Sequence, residues 1–71
     1  MRLRGVSGRR AIRALEKLGY EVARITGSHY VLKYPERPTI SIPRHGNVKV
    51  GLLLSKIKAA GLTPEEFEEK L

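Results

Sequence analysis

Cysteine is absent from this chain, and so is aspartate. Without thiols there is no disulfide framework to staple a small core and no thiolate site for zinc, and the missing aspartate removes most nucleophile triads and metal clusters. Long apolar runs are lacking too: the longest, Val50 to Leu54, is interrupted by Gly51. Such a stretch is too short to cross a bilayer or to serve as a signal-peptide core, so the chain reads as a cytoplasmic protein with no membrane partner. No glycine loop matches a Walker or Rossmann pattern, and two histidines without a carboxylate at helical spacing make no zinc site; no metal, cofactor or small-molecule ligand is expected.

What the chain has in excess is positive charge. Fourteen Lys and Arg stand against seven acidic residues, a net charge of +7 over 71 residues. The excess is uneven. Glu65, Glu66, Glu68 and Glu69 crowd the tail, so residues 1–64 carry thirteen basic and three acidic groups, or +10. Polyanions are the natural partners of such a body. The length allows one core, so residues 1–71 read as a single domain, marginal in stability.

The order of elements follows from periodicity and punctuation. Ser7 can cap a helix over about 8–18, with Ala11, Ile12, Leu15 and Leu18 on one side and Gly19 as its left-handed exit. Two runs rich in β-branched and aromatic residues, from Tyr20 to Thr26 and from His29 to Tyr34, are joined by Gly27-Ser28 and read as a hairpin. Pro35 to Pro38 makes the next reversal, and a short third strand runs from Thr39 to Ile42. Val50, Leu53, Leu54 and Ile57 share a helical face through about Ala60, and Lys56 and Lys58 beside it should stay solvated. Thr63, Pro64 and Glu66 then start a last short helix, which Phe67 and Leu71 dock. The expected fold is α+β: a two-layer α-β-β-β-α arrangement with a three-stranded antiparallel sheet, two helices on one face and a short C-terminal helix.

The inventory of reactive groups is short. His29 follows Gly27-Ser28 at the mouth of a strand, where a turn lets a phosphate approach the backbone and an imidazole. An imidazole can take the proton of a ribose 2′-hydroxyl so that this oxygen attacks the adjacent phosphorus, while a cation balances the phosphoryl charge. Arg24, Lys33 and Arg44 are candidates for that cation, and the Ser28 hydroxyl or a turn amide for holding an oxygen. The bland alternative is that His29 is simply a polar residue at a strand start. Arg9, Arg10, Arg13 and Lys17 form a helical stripe that either binds phosphates or faces water. His45 reads as a solvated loop residue, Tyr30 and Tyr34 as packing residues with base stacking as the other option, and Gly51 as relief for packing where its helix meets the sheet, with exposure of backbone amides to a phosphate as the other option.

Three segments together resemble the HicA toxin family: Gly19 to His29, then Ile42-Pro43-Arg44-His45, then Val50 to Ile57, with the ending Gly61-Leu62-Thr63 and Glu66-Phe67 in keeping. The likeness covers nearly the whole chain. It implies a fold like a reduced double-stranded-RNA-binding domain, an mRNA endoribonuclease toxin of a type II toxin–antitoxin system working without metal, and a HicB-like antitoxin that binds and blocks it; since blocking must deny phosphate access, the partner is expected to cover His29 and the basic body with an acidic surface. The family's catalytic histidine, in its Gly-Ser-His motif, matches His29. Arg24, Lys33, Arg44, Arg9, Arg13 and Ser28 are then the expected RNA contacts. The rival readings are a basic module that binds RNA without cutting it and a subunit that only docks a protein partner.

Overall fold

The computed structural model describes residues 3–71. Its elements run α1 (Gly8–Lys17), β1 (Glu21–Thr26), β2 (His29–Tyr34), β3 (Arg37–Pro43), α2 (Val50–Ala59) and α3 (Pro64–Glu69). The strands form one antiparallel sheet in the order β1-β2-β3. Leu32, Ile40 and Ile42 of the sheet share a core with Ala11, Ile12 and Leu15 of α1 and Leu53 and Ile57 of α2, giving the α+β architecture expected from the pattern.

Local chemistry explains the ends of the helices. Ser7 accepts a hydrogen bond from the Arg10 amide at the start of α1, satisfying one of the amides that a helix start leaves unpaired. At its other end the Gly19 amide donates to the Glu16 carbonyl and the Tyr20 amide to Leu15, with Gly19 at φ +107°. This paired arrangement is what a glycine stop is built for. Thr63 caps α3 in the same way, accepting from the Glu66 amide at 3.1 Å, and Leu62 and Phe67 are both buried.

Two strand boundaries differ from the expectation. Strand β3 begins at Arg37 and ends at Pro43, and the reversal before it shrinks to Pro35-Glu36. The short turn is possible because Glu36 takes a left-handed conformation, φ 62°, in which a side chain costs ~1–2 kcal/mol. Glu36→Gly is expected to raise stability in urea unfolding by ~0.5–1 kcal/mol, part of the relief being offset by glycine's freedom in the unfolded chain.

The segments flanking the elements also build the core. Leu3, Val6 and Val48 are buried, held by a short bridge between Ser7 and Asn47. The Val48 amide donates to Val6 at 2.8 Å and the Gly8 amide to Gly46 at 3.0 Å. The stretch from Arg44 to Lys49, readable in the sequence only as a polar connection, is therefore pinned to the start of α1. Gly8 makes this contact possible: a Cβ there would lie 1.8 Å from the Pro43 carbonyl oxygen. Gly51 does not have the packing role expected of it, since nothing lies within 4 Å of where its Cβ would stand.

At the far end of the sheet a polar knot closes the layers. The Tyr20 hydroxyl (3.4 Å) and the Arg37 guanidinium (3.2 Å) both donate to the Ala60 carbonyl at the end of α2, where a cation also suits the helix dipole. Tyr20 packs against Tyr34 at 5.3 Å, and Arg37 lies over the Tyr34 ring. Burial raises the Tyr20 phenol above its usual 10.0, with Arg37 opposing. A phenol held neutral by folding favours the native state less once the unfolded chain can ionise, so stability is lost as pH climbs past about 10. Tyr20→Phe is expected to cost ~1 kcal/mol at neutral pH and to flatten part of that alkaline fall, which denaturant titration at neutral and alkaline pH would register.

Candidate nucleic-acid interface

The hairpin register decides which candidates share a face with His29. In an antiparallel sheet, residues directly opposite one another point to the same side. Thr26, His29 and Pro43 form one rung, and Arg24, Val31 and Ser41 the next on that side. The intervening rung of Ile25, Tyr30 and Ile42 points toward the helices. His29 is thus on the open face, exposed to solvent.

Of the three candidate cations, register favours Arg24. It lies diagonally across from His29, with Cα atoms roughly 7–8 Å apart, a span that a long side chain covers easily. Lys33 shares the face but sits four residues along β2, about 13 Å away, opposite Glu21. Arg44 goes to the other side. Its guanidinium lies 5.9 Å from the centre of the Tyr30 ring, while its backbone amide donates to Ser28 at 2.7 Å. That bond ties the turn carrying Ser28 to the segment after β3, and so anchors the loop beside His29.

The remaining arginines gather on the helix side. A groove of about 540 Å³ is lined by Arg9, Arg10, Arg13 and Arg44, with Ser7 and Tyr30 among its walls. Glu16 is its one acidic wall among the described residues. Lys17 is not part of it, because its ammonium donates to the Lys70 carbonyl behind α3. The sequence shows Arg9 and Arg13 as a helical stripe, but nothing in it says that Arg44 joins them or that the sheet separates this cluster from His29. Tyr30 and Tyr34 are half-buried and face the helix layer, as packing residues do. Among the described residues of the strands, Val31 and Pro43 are apolar positions on the open face, beside the polar Arg24, Thr26, His29, Lys33 and Ser41.

Among the described residues no three His, Asp or Glu side chains come together as a metal site requires, and no helix is long and apolar enough to cross a membrane. The candidate site is an exposed imidazole with an arginine diagonal to it on an open sheet, backed by an arginine groove on the opposite side. Among curated proteins none matches the chain. The sequence model of the HicA toxin of bacterial toxin–antitoxin systems matches residues 8–62, well over half of the 71 residues, from α1 through the end of α2. The chain belongs to the HicA toxin family, and membership implies an antitoxin partner.

Proposed function

We propose that this toxin is an endoribonuclease that cuts single-stranded stretches of mRNA without metal, with His29 as its proton-transfer group. The observation carrying the reading is the exposed His29 on the open face with Arg24 diagonal to it, in a chain of this family. The imidazole takes the 2′-hydroxyl proton; the 2′-oxygen bonds to phosphorus as the bond to the 5′-oxygen breaks, and that oxygen leaves with a proton drawn from water, while the imidazolium returns its own to solvent. Arg24 balances the charge gathered on the phosphoryl oxygens. Ser28 or an amide of its turn orients one of those oxygens. Lys33 on the same face, and Arg9, Arg13 and Arg44 on the other, hold flanking phosphates. A HicB-like antitoxin with an acidic surface blocks the toxin by covering His29.

Purified protein incubated with end-labelled RNA in EDTA is expected to yield fragments ending in a 2′,3′-cyclic phosphate and a 5′-hydroxyl. A single 2′-deoxy substitution at the cleaved position should stop cleavage there. Salt-sensitive binding with no products would instead favour a non-catalytic RNA-binding module, the reading that the +10 body supports by itself.

A further inference from the structure

A second groove, of about 510 Å³, runs over the edge strand β3 from the open face of the sheet to α2, its lining taking in the inward-facing Ile40 as well as residues on the His29 side. Arg24, Val31 and Ser41 line it from the sheet, and Leu52, Ser55 and Lys56 from α2. The first three form the rung that follows the His29 rung, about 7 Å further along the strands, a distance on the scale of one nucleotide. Lys56, expected from the sequence to be fully solvated, is half-buried here.

Three features of the groove suit a nucleotide. Among the described residues it contains two cations and no carboxylate, so a phosphate entering it meets attraction from both walls. It contains apolar surface that the core does not use, since Leu52 is 44% exposed and lies with the half-buried Val31 in one depression. It also offers the Ser41 and Ser55 hydroxyls, which can pair with the edge of an unstacked base.

We propose that this groove holds the nucleotide next to the scissile phosphate, its base lying on Val31 and Leu52 and its outer phosphate on Lys56, while Arg24, at the end of the groove toward His29, stays with the scissile phosphate. The inference rests on RNA being the substrate. A base can enter a depression of this kind only when it is free of a duplex, so the groove selects single strands, and Ser41 and Ser55 bias which base is accepted.

The test separates a placed contact from bulk charge. Lys58 lies on the same helix, is exposed and does not line the groove, so Lys56→Gln and Lys58→Gln remove the same charge in different places. Both are made in the His29→Ala protein, where RNA stays intact, and affinity for a fluorescent single strand is measured against salt. Lys56→Gln is expected to weaken binding several-fold and to lower the slope of log K against log salt by ~0.7; Lys58→Gln should change both far less. Leu52→Ala, at an exposed position, should also weaken binding several-fold with an unchanged thermal midpoint. Equal effects of the two lysine variants, with Leu52→Ala silent, would overturn the proposal. So would unchanged RNA affinity accompanied by weaker binding of an acidic partner protein, which would make the groove a protein contact. If otherwise unaltered protein cuts no RNA yet binding depends selectively on Lys56, the ribonuclease reading fails and the groove stands as a single-strand binding site with no scissile phosphate beside it; if it cuts RNA and Lys56 is no more important than Lys58, the groove fails and the ribonuclease reading stands.

Discussion

Gly8→Ala is expected to destabilise the protein by ~3 kcal/mol or more, at the upper end of what forcing an atom into a filled core costs. Helix propensity argues the opposite sign, because alanine in a helix is normally better than glycine by ~1 kcal/mol. Space decides between them. The added carbon would lie 1.8 Å from the Pro43 carbonyl oxygen and 2.8 Å from the carbonyl carbon and oxygen of Arg44. All three are backbone atoms, so no side chain can swing away. Relief requires α1 to retreat from the end of β3, which pulls on the Gly8–Gly46 hydrogen bond and the Ser7–Asn47 bridge. For a chain of this size total stability is only ~4–10 kcal/mol, and the midpoint of thermal unfolding should fall by roughly 12–24 °C. Gly51→Ala is the matched control. Nothing lies near that position in α2, so the propensity term acts alone and stability should rise by ~0.5–1 kcal/mol. A neutral or stabilising Gly8→Ala would mean that α1 does not seat against the Pro43–Arg44 backbone.

His29→Ala is expected to lower the rate of RNA cleavage by ~10²–10⁴-fold, the usual worth of a positioned proton-transfer group. The folded state should hardly notice the change. The ring is exposed on the open sheet face, with Thr26 and Pro43 as its cross-strand neighbours, and surface substitutions of this kind stay within ~0.5 kcal/mol. Single-turnover cleavage at saturating protein, measured beside thermal unfolding, therefore isolates chemistry from stability. Undiminished cleavage by the alanine variant would eliminate His29 as the catalytic group. A collapse of both activity and thermal midpoint would count equally against it, because the register leaves the ring no structural duty. Growth inhibition on overexpression should disappear with the same substitution.

The two cases illustrate what could be read along the chain. Helix α1 was legible because its cap at Ser7, its apolar spacing and its exit at Gly19 are all local signals, and the hairpin because Gly27-Ser28 stands between two β-rich runs. The turn at Glu36 was less so, since a glutamate with positive φ contradicts the usual preference, and the sheet overrides it. The expectation of packing relief fell on Gly51, and Gly8 drew none, for a similar reason: whether a glycine makes room depends on what lies across from it. Gly8 faces the backbone of another element, whereas Gly51 faces nothing.

Composition and local pattern by themselves determined the basic body, the acidic tail, the order of the elements and the presence of a histidine after a turn, because each depends on neighbours a few residues apart. Tertiary structure alone decided that Arg24 shares a face with His29, that Arg44 turns away to join Arg9 and Arg13 around Tyr30, and that Lys56 lines the groove adjoining the His29 rung. The physical reason is that strand pairing alternates side chains between two faces of a sheet. Which charges can act on one phosphate follows from that register, and no spacing along the chain expresses it.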